Sequence, residues 1–168
     1  TGDAYLGEDL PGGILEKQWW KAPNGNMQGM TALPGGVMSG FYGNTLALSV
    51  PFVPSAYPEE NQYTFNQDIV AIGIIGNTVV VTTEGYPSVL TGDDPSAMVQ
   101  SELELFQSCV SKRGVVSIFN GVVYPSPDGM VYVPSVGVPT VITADYLKKK
   151  DWDLFNPTSI IGDVYDDR

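Results

Sequence analysis

Short hydrophobic runs alternate with glycine- and proline-containing turns along most of the chain. Three turns pair glycine with asparagine and lie between runs rich in Val, Ile, Leu, Tyr or Phe: Gly43-Asn44, Gly76-Asn77 and Asn120-Gly121. Such pairs supply the positive φ angles of two-residue hairpin turns, whose twist matches that of the flanking strands. The pattern therefore predicts repeated antiparallel hairpins in an all-β fold.

The hydrophobic pattern also indicates how the predicted strands are buried. Around the first turn, Leu46, Leu48 and Val50 alternate with smaller or polar residues, which is typical of a strand with one buried face. Around the second turn, residues 69–75 and 78–84 are almost continuously apolar, so we expect both strands to be covered on both faces. Further strands are predicted over residues 36–42, 45–50, 86–91, 99–106, 115–119, 122–124, 130–133, 139–142 and 159–165.

One helix is predicted, over Ala144–Phe155. Thr143 is placed to cap its start, Asp145 lies at the positive end of the helix dipole, and Asn156-Pro157 ends the helical pattern. Three prolines between residues 51 and 58 exclude both a helix and a central strand there. We expect that stretch to cross an edge of the sheet as a semi-rigid connection.

The spacing of the turns indicates the larger architecture. Asn120 follows Gly76 by 44 residues and Gly76 follows Gly43 by 33, whereas a four-stranded propeller blade takes about 40–45 residues. At that length, 168 residues make roughly three to four blades. Since closed propellers need about four to eight, we expect a partial propeller that is a piece of a larger protein. A loop-rich N-terminal segment is assigned to residues 1–29, with a short strand near Leu15–Lys21, and β-propeller-like blades to residues 30–168.

The net charge narrows the classes of partner. Eight Lys and Arg against 19 Asp and Glu leave a net charge of −11. A surface this acidic repels phosphate, so we expect no specific nucleic-acid binding and no adhesion to an anionic membrane. No apolar run approaches the ~18 residues that a membrane-spanning helix needs.

Few residues could carry catalysis. The chain has no histidine, which excludes Ser-His and Cys-His nucleophile systems within it. The single cysteine, Cys109, is interpreted as a buried small hydrophobe, although Lys112 and Arg113 nearby could lower the pKa of its thiol. These two cations are expected to pair with Glu102, Glu104 or a neighbouring subunit. We predict no catalytic, cofactor-binding or metal-binding residues, no small-molecule substrate and no enzyme activity.

Acidic residues offer weak alternatives to this prediction, namely a metal site or a pair of catalytic carboxylates. Asp163, Asp166 and Asp167 could bind Ca²⁺ through carboxylate oxygens, but they lack the spaced loop with a distal bidentate Glu. A solvated acidic end is the favoured interpretation, with Asp166-Asp167 forming a turn. The adjacent pairs Asp93-Asp94 and Glu59-Glu60 are expected to diverge, so a facing pair of glycosidase carboxylates is disfavoured.

Several segments occur in an order that resembles bacteriophage virion structural proteins. They are Glu84-Gly85-Tyr86-Pro87, Thr91-Gly92, Asp94-Pro95, Gln107-Ser108-Cys109-Val110-Ser111-Lys112-Arg113 and Val123-Tyr124-Pro125-Ser126-Pro127-Asp128-Gly129. In that family, similar segments lie in a β-propeller-like part of a tail-associated component. Trp152-Asp153-Leu154-Phe155-Asn156-Pro157 also resembles the short helix of the family and the Asn-Pro that ends it. The resemblance covers about residues 30–165, and is closest over 84–157.

The resemblance implies a non-enzymatic structural role in the virion. The expected position is the tail tube, the nozzle or the head-to-tail connection, assembled in the host cytoplasm. The implied partners are other virion proteins and copies of the same chain in a symmetric ring. An acidic surface that faces the channel would repel DNA and keep it from sticking in transit. The resemblance brings no catalytic residues.

Two other functions are kept as alternatives. One is a receptor- or carbohydrate-binding β-domain of a phage particle that uses Trp19, Trp20, Tyr57 or Tyr63, because exposed aromatic rings stack on sugars. For Trp19 and Trp20, a role in anchoring a loop to the core is the commoner one. The second alternative is a propeller-type hydrolase, which needs paired carboxylates or a Ca²⁺ site at the centre of a ring.

Overall fold

The computed structural model describes residues 26–165, which form three antiparallel sheets of four strands each. In every sheet the strands are neighbours in chain order, so each sheet is a meander. The first sheet contains β1 Gln28–Leu33, β2 Val37–Tyr42, β3 Thr45–Leu48 and β4 Gln62–Thr64. The second contains β5 Ile69–Ile75, β6 Thr78–Thr83, β7 Ser88–Thr91 and β8 Val99–Glu102. The third contains β9 Val116–Ile118, β10 Gly121–Ser126, β11 Gly129–Pro134 and β12 Thr140–Val141.

The all-β prediction is confirmed, and two of the three glycine–asparagine turns lie where they were predicted. Gly43-Asn44 joins β2 to β3, and Gly76-Asn77 joins β5 to β6. The φ angles of Gly43 and Gly76 are 51° and 55°, as a hairpin turn with glycine at its first central position requires.

The third turn is shifted by one residue from its predicted position. Phe119 and Asn120 form the turn, while Gly121 is the first residue of β10 and pairs with Ile118. A Cβ atom on Gly121 would lie 2.3 Å from the Tyr132 ring and 2.5 Å from the Val133 carbonyl oxygen. The glycine therefore serves close packing against β11.

Two strands escaped prediction, and one predicted strand is absent. β1 begins inside the segment assigned to loops and is mostly exposed, so it lacks a clear alternation. β4 begins at Gln62, beyond the last proline of the connection. Residues 159–165 form no strand: a 3₁₀ turn over Pro157–Ser159 leads into an irregular segment whose Gly162 N–H donates to Arg113 O at 3.0 Å. The predicted strand near Leu15–Lys21 and turn at Asp166-Asp167 lie outside the described residues.

The helix lies in its predicted region but is shorter than predicted. α1 spans Lys149–Asp153. Residues before it form a turn, in which the N–H groups of Tyr146 and Leu147 both donate to Thr143 O, and Lys148 is extended with ψ 150°. An extended residue interrupts the helical hydrogen bonds, so α1 starts only after Lys148.

The second sheet is covered on both faces, as its continuous apolar runs predicted. Within β6, Val79 and Val81 belong to the hydrophobic cluster shared with the first sheet. Val80 between them belongs to the cluster shared with the third sheet. Because successive side chains of a strand point to opposite faces, β6 supplies both cores at once.

β5 is the strand through which the sheets meet. It contacts β1 and β2 of the first sheet and β9 and β10 of the third. The N–H of Ile74 donates to Ser117 Oγ on β9 at 2.8 Å. The three sheets thus follow one another as propeller-like blades, and over residues 26–165 they do not close into a ring.

Gly73 on β5 allows the second and third sheets to approach closely. A Cβ atom there would lie 2.6 Å from Val122 Cγ2 and 2.7 Å from Val122 Cγ1. Val122 is fully buried in β10. Contacts this short force the sheets apart or the valine out of its preferred rotamer.

We predict that Gly73→Ala lowers the free energy of unfolding by about 1–3 kcal/mol, the usual cost of overpacking a core. Urea denaturation followed by tryptophan fluorescence measures the change. The same substitution in a Val122→Ala background should cost less, because the colliding methyl groups are gone. An equal loss in both backgrounds would show that the contact with Val122 is not the cause.

Candidate functional site

The only cysteine of the chain is buried, as predicted, in the core between the second and third sheets. The Cys109 thiol donates to Ser111 O at 3.4 Å. Burial raises the pKa of this thiol, and hydrogen bonds with Thr82 and Ser111 oppose the shift only in part. A thiol that stays protonated in a closed core is a poor nucleophile.

The two cations beside Cys109 do not make the expected ion pairs with Glu102 or Glu104 within residues 26–165. Lys112 instead donates to Gln28 Oε1 on β1, and its Nζ lies 5.5 Å from the centroid of the Phe41 ring. Both lysine contacts join the segment before β9 to the first sheet. Lys112 therefore links sheets that are distant in sequence and does not activate the thiol.

The acidic pair Asp93-Asp94 accepts hydrogen bonds in and between turns, and the pair Glu59-Glu60 lies in a 3₁₀ helix over Glu59–Asn61. Asp93 accepts a hydrogen bond from the Asn77 amide, which ties the β7–β8 loop to the β5–β6 turn. Asp94 accepts from Ser96 N at 2.9 Å and from Ser96 Oγ at 2.8 Å, and these bonds lower the pKa of its carboxyl group.

No metal cluster is found in the described part of the chain. Within it, no group of three or more His, Cys, Asp or Glu residues could hold a metal ion. Asp163 accepts a hydrogen bond from Val164 N at 2.8 Å. Asp166 and Asp167 lie outside the described residues, so the favoured solvated acidic end stays a prediction, with calcium binding as its alternative.

Two of the four aromatic candidates for ligand binding have internal roles. Tyr57 is only 4% exposed, which is too little for its ring to stack on a ligand, and burial raises the pKa of its hydroxyl. The Tyr63 hydroxyl donates to Pro95 O at 2.8 Å and accepts from Met98 N at 2.9 Å, so it holds the β7–β8 loop on the first sheet. Trp19 and Trp20 lie outside the described residues.

A cleft of about 270 Å³ lies between the first and second sheets, at the end that carries the Pro34–Gly36 turn of the first sheet and the Gly76-Asn77 turn of the second. Its walls are apolar, with Leu33, Val37, Leu48 and Met98 reaching it from the core. Asn77 and Asp93 line it as well, and they are bonded to each other. The cleft thus offers an apolar depression without a free nucleophile or base among its lining residues.

The segment after β12 presents a set of exposed apolar side chains, which we call the C-terminal apolar surface. Tyr146 is 86% exposed and Leu154 84%. Phe155 and Ile142 are also exposed. A continuous helix over 144–155 would bury one face of this segment, so the exposure of Tyr146, Leu154 and Phe155 is not evident from the sequence. The extended backbone at Lys148 leaves them outside instead.

The C-terminal apolar surface is held firmly on the third sheet. The buried Trp152 donates its indole N–H to Ser126 O at 2.9 Å. Lys149 donates to Pro127 O at 2.7 Å and lies 3.1 Å from the Asp128 carboxylate. These three anchors all engage the β10–β11 turn, so the segment is fixed to one hairpin.

Asp128 is the acidic residue in these contacts, and it interacts with both Gln107 and Lys149. The Gln107 amide, at 2.8 Å, and Lys149 hold the pKa of the Asp128 carboxyl below its usual value, and Asp128 in turn raises the pKa of Lys149. Because the folded-state pKa of Asp128 is lowered, its contribution to stability is present above the unfolded pKa and is lost as the pH falls through the folded pKa. The group is solvent-screened, so the contribution is small.

No protein-family model matches the chain, and no curated protein matches it significantly. Among the described residues, none of the helices has the length and hydrophobicity needed to cross a membrane.

We predict that Cys109 in the native protein reacts with a thiol reagent at least about 100-fold more slowly than in the urea-unfolded chain, because reaction requires the core to open. Absorbance during labelling with Ellman's reagent at pH 8 measures both rates. The unfolded chain is the internal control for reagent quality. Similar rates in the two states would contradict the buried, high-pKa thiol.

Proposed function

We propose that this protein is a non-enzymatic structural component of a bacteriophage virion, placed in the tail tube, the nozzle or the head-to-tail connection. The observation that carries the proposal is the C-terminal apolar surface, which is exposed to solvent and anchored on the third sheet through Trp152 and Lys149. Apolar side chains gathered on a fixed surface favour contact with another protein.

The segments that resemble virion proteins act together in this structure. The Tyr124 hydroxyl donates to Gln107 O at 2.8 Å, Gln107 donates to Asp128, and Trp152 donates to Ser126 O. Residues that are separate in the sequence thus form one hydrogen-bonded unit around β10 and its turn. Such a unit builds a scaffold, which supports a structural role over a catalytic one.

The distribution of charge favours a second copy of this chain as the occupant of the C-terminal apolar surface. Between residues 142 and 155, three lysines balance three aspartates, so the net charge of −11 lies entirely elsewhere. Two copies of an acidic chain repel each other over most orientations. A neutral apolar surface is where they can meet with the least repulsion.

Repetition of such a contact fits a ring. A surface that docks on a different part of the next copy generates closed rings or open filaments, depending on the rotation between subunits. A ring of acidic subunits around a channel would also repel the phosphates of passing DNA. The proposed ring accounts for the acidic composition and for the apolar surface together.

We predict that the purified chain self-associates and that the double substitution Tyr146→Ser and Leu154→Ser weakens this association at least tenfold. Each exposed apolar side chain that becomes buried in a contact contributes about 1.5–3 kcal/mol. Sedimentation velocity over a range of protein concentrations measures the association. Phe119→Ser is the matched control, since Phe119 is 84% exposed but lies on the β9–β10 turn.

Three results would contradict self-association through this surface. They are a wild-type chain that stays monomeric at all concentrations, an unchanged association in the double variant, and an equal loss in Phe119→Ser. The virion assignment has a separate test, which is mass spectrometry of phage particles purified from the source organism. Absence of peptides from this chain in intact particles would overturn that assignment.

A further inference from the structure

A second cleft, which we call the Tyr86 cleft, lies between the first and second sheets at the opposite end, where the Gly43-Asn44 turn bonds to Phe65 and Ile69. It has a volume of about 210 Å³. The β4–β5 connection, the β6–β7 connection and the end of β8 line it through Asn66, Gln67, Tyr86 and Glu102. None of these residues takes part in the C-terminal apolar surface.

The Tyr86 ring lines this cleft and has a second aromatic ring beside it. Tyr86 lies in its lining and packs against Phe106, with 4.9 Å between the ring centroids and 54° between the ring planes. Tyr86 is 40% exposed and Phe106 67%, so both rings keep part of their surface in water. Exposed rings beside polar groups provide a platform for a ligand that has an apolar face and a polar edge.

The backbone holds the aromatic pair in position before any ligand binds. The Thr83 hydroxyl donates to Tyr86 O at 2.7 Å and accepts from Gly85 N at 3.1 Å, which fixes the turn that carries Tyr86. The N–H of Leu103 donates to Pro87 O at 2.8 Å and holds the chain leading to Phe106 beside that turn. Little conformational entropy is therefore lost when a ligand covers the rings.

Polar side chains face the same space. Gln67 lies over Gly85, where a Cβ atom would be 1.6 Å from its amide oxygen, and its amide makes no hydrogen bond with another described residue. Asn66 donates to Glu102 Oε2 across a long 3.4 Å contact. Two amides and a carboxylate can both donate to and accept from neighbouring hydroxyl groups.

From this geometry we infer that the Tyr86 cleft binds a neutral saccharide. One face of the sugar ring packs on Tyr86 and Phe106, and its hydroxyls bond to Glu102, Asn66 and Gln67. The volume is below the ~300–1,000 Å³ typical of sites for drug-sized ligands, which suits a single sugar ring. Glu102 and the net charge of −11 repel carboxylated or phosphorylated ligands.

This inference goes beyond the proposed structural role and differs from the sequence-based expectation of no small-molecule ligand. It also moves the carbohydrate alternative away from Tyr57 and Tyr63. The two proposals have independent tests, since self-association involves residues 142–155 and saccharide binding involves residues 66–106.

The test is saturation-transfer-difference NMR on the full chain with methyl glycosides of glucose, galactose, mannose, N-acetylglucosamine and N-acetylgalactosamine. We expect at least one of these sugars to bind in the millimolar range, because the site is small and open. Tyr86→Ala should weaken that binding at least tenfold, and Glu102→Gln should weaken it several-fold. Phe119→Ala is the matched aromatic control and should bind like the wild type.

Charge adds a second readout that a merely structural effect would not produce. Glucuronic acid should bind at least tenfold more weakly than the preferred neutral sugar, and Glu102→Gln should reduce this difference. A ¹⁵N-HSQC spectrum of each variant checks its fold, and the exposed Glu102→Gln substitution keeps the test valid if Tyr86→Ala unfolds.

The inference is overturned if none of the five neutral sugars binds, or if binding survives Tyr86→Ala in a folded protein. Preferential binding of glucuronic acid would overturn it too. Finally, if chemical shifts at Tyr86 and Phe106 respond to a peptide library but to none of the sugars, the cleft is a peptide site instead.

Discussion

The whole array depends on one sheet that is buried on both faces. β6 turns Val79 and Val81 toward the first sheet and Val80 toward the third, so a single strand supplies apolar surface to two cores. Burial of each such side chain contributes about 1.5–3 kcal/mol. The first and third sheets therefore stabilise each other indirectly, because each helps to fix the strand on which the other packs.

Much of this fold could be predicted from local chemistry. The turns at Gly43 and Gly76 require positive φ, and the continuous apolar runs on either side of Gly76 require cover on both faces. Two predictions that failed, for β1 and for the length of the helix, have a different origin. β1 is mostly exposed, so apolar and polar residues do not alternate clearly along it. The short helix that follows the extended Lys148 is anchored on a distant hairpin, a contact that local residue preferences do not contain.

The candidate sites were less predictable than the fold. Burial of Cys109 followed from its apolar neighbours, but Lys112 bonds across to the first sheet, where only tertiary structure could place it. The Tyr86 cleft combines residues from two connections and the end of β8, which lie up to 36 positions apart between Asn66 and Glu102. Tyr86 itself carried a signal, because a tyrosine between Gly85 and the buried Pro87 is held in a tight turn.

Gly73 has a consequence for shape as well as for packing. It lies on β5, where the three sheets meet, and its missing side chain sets how closely the third sheet approaches the second at that line. A side chain there would hold the third sheet away from the second, so the spacing between these two sheets depends on the absence of one methyl group.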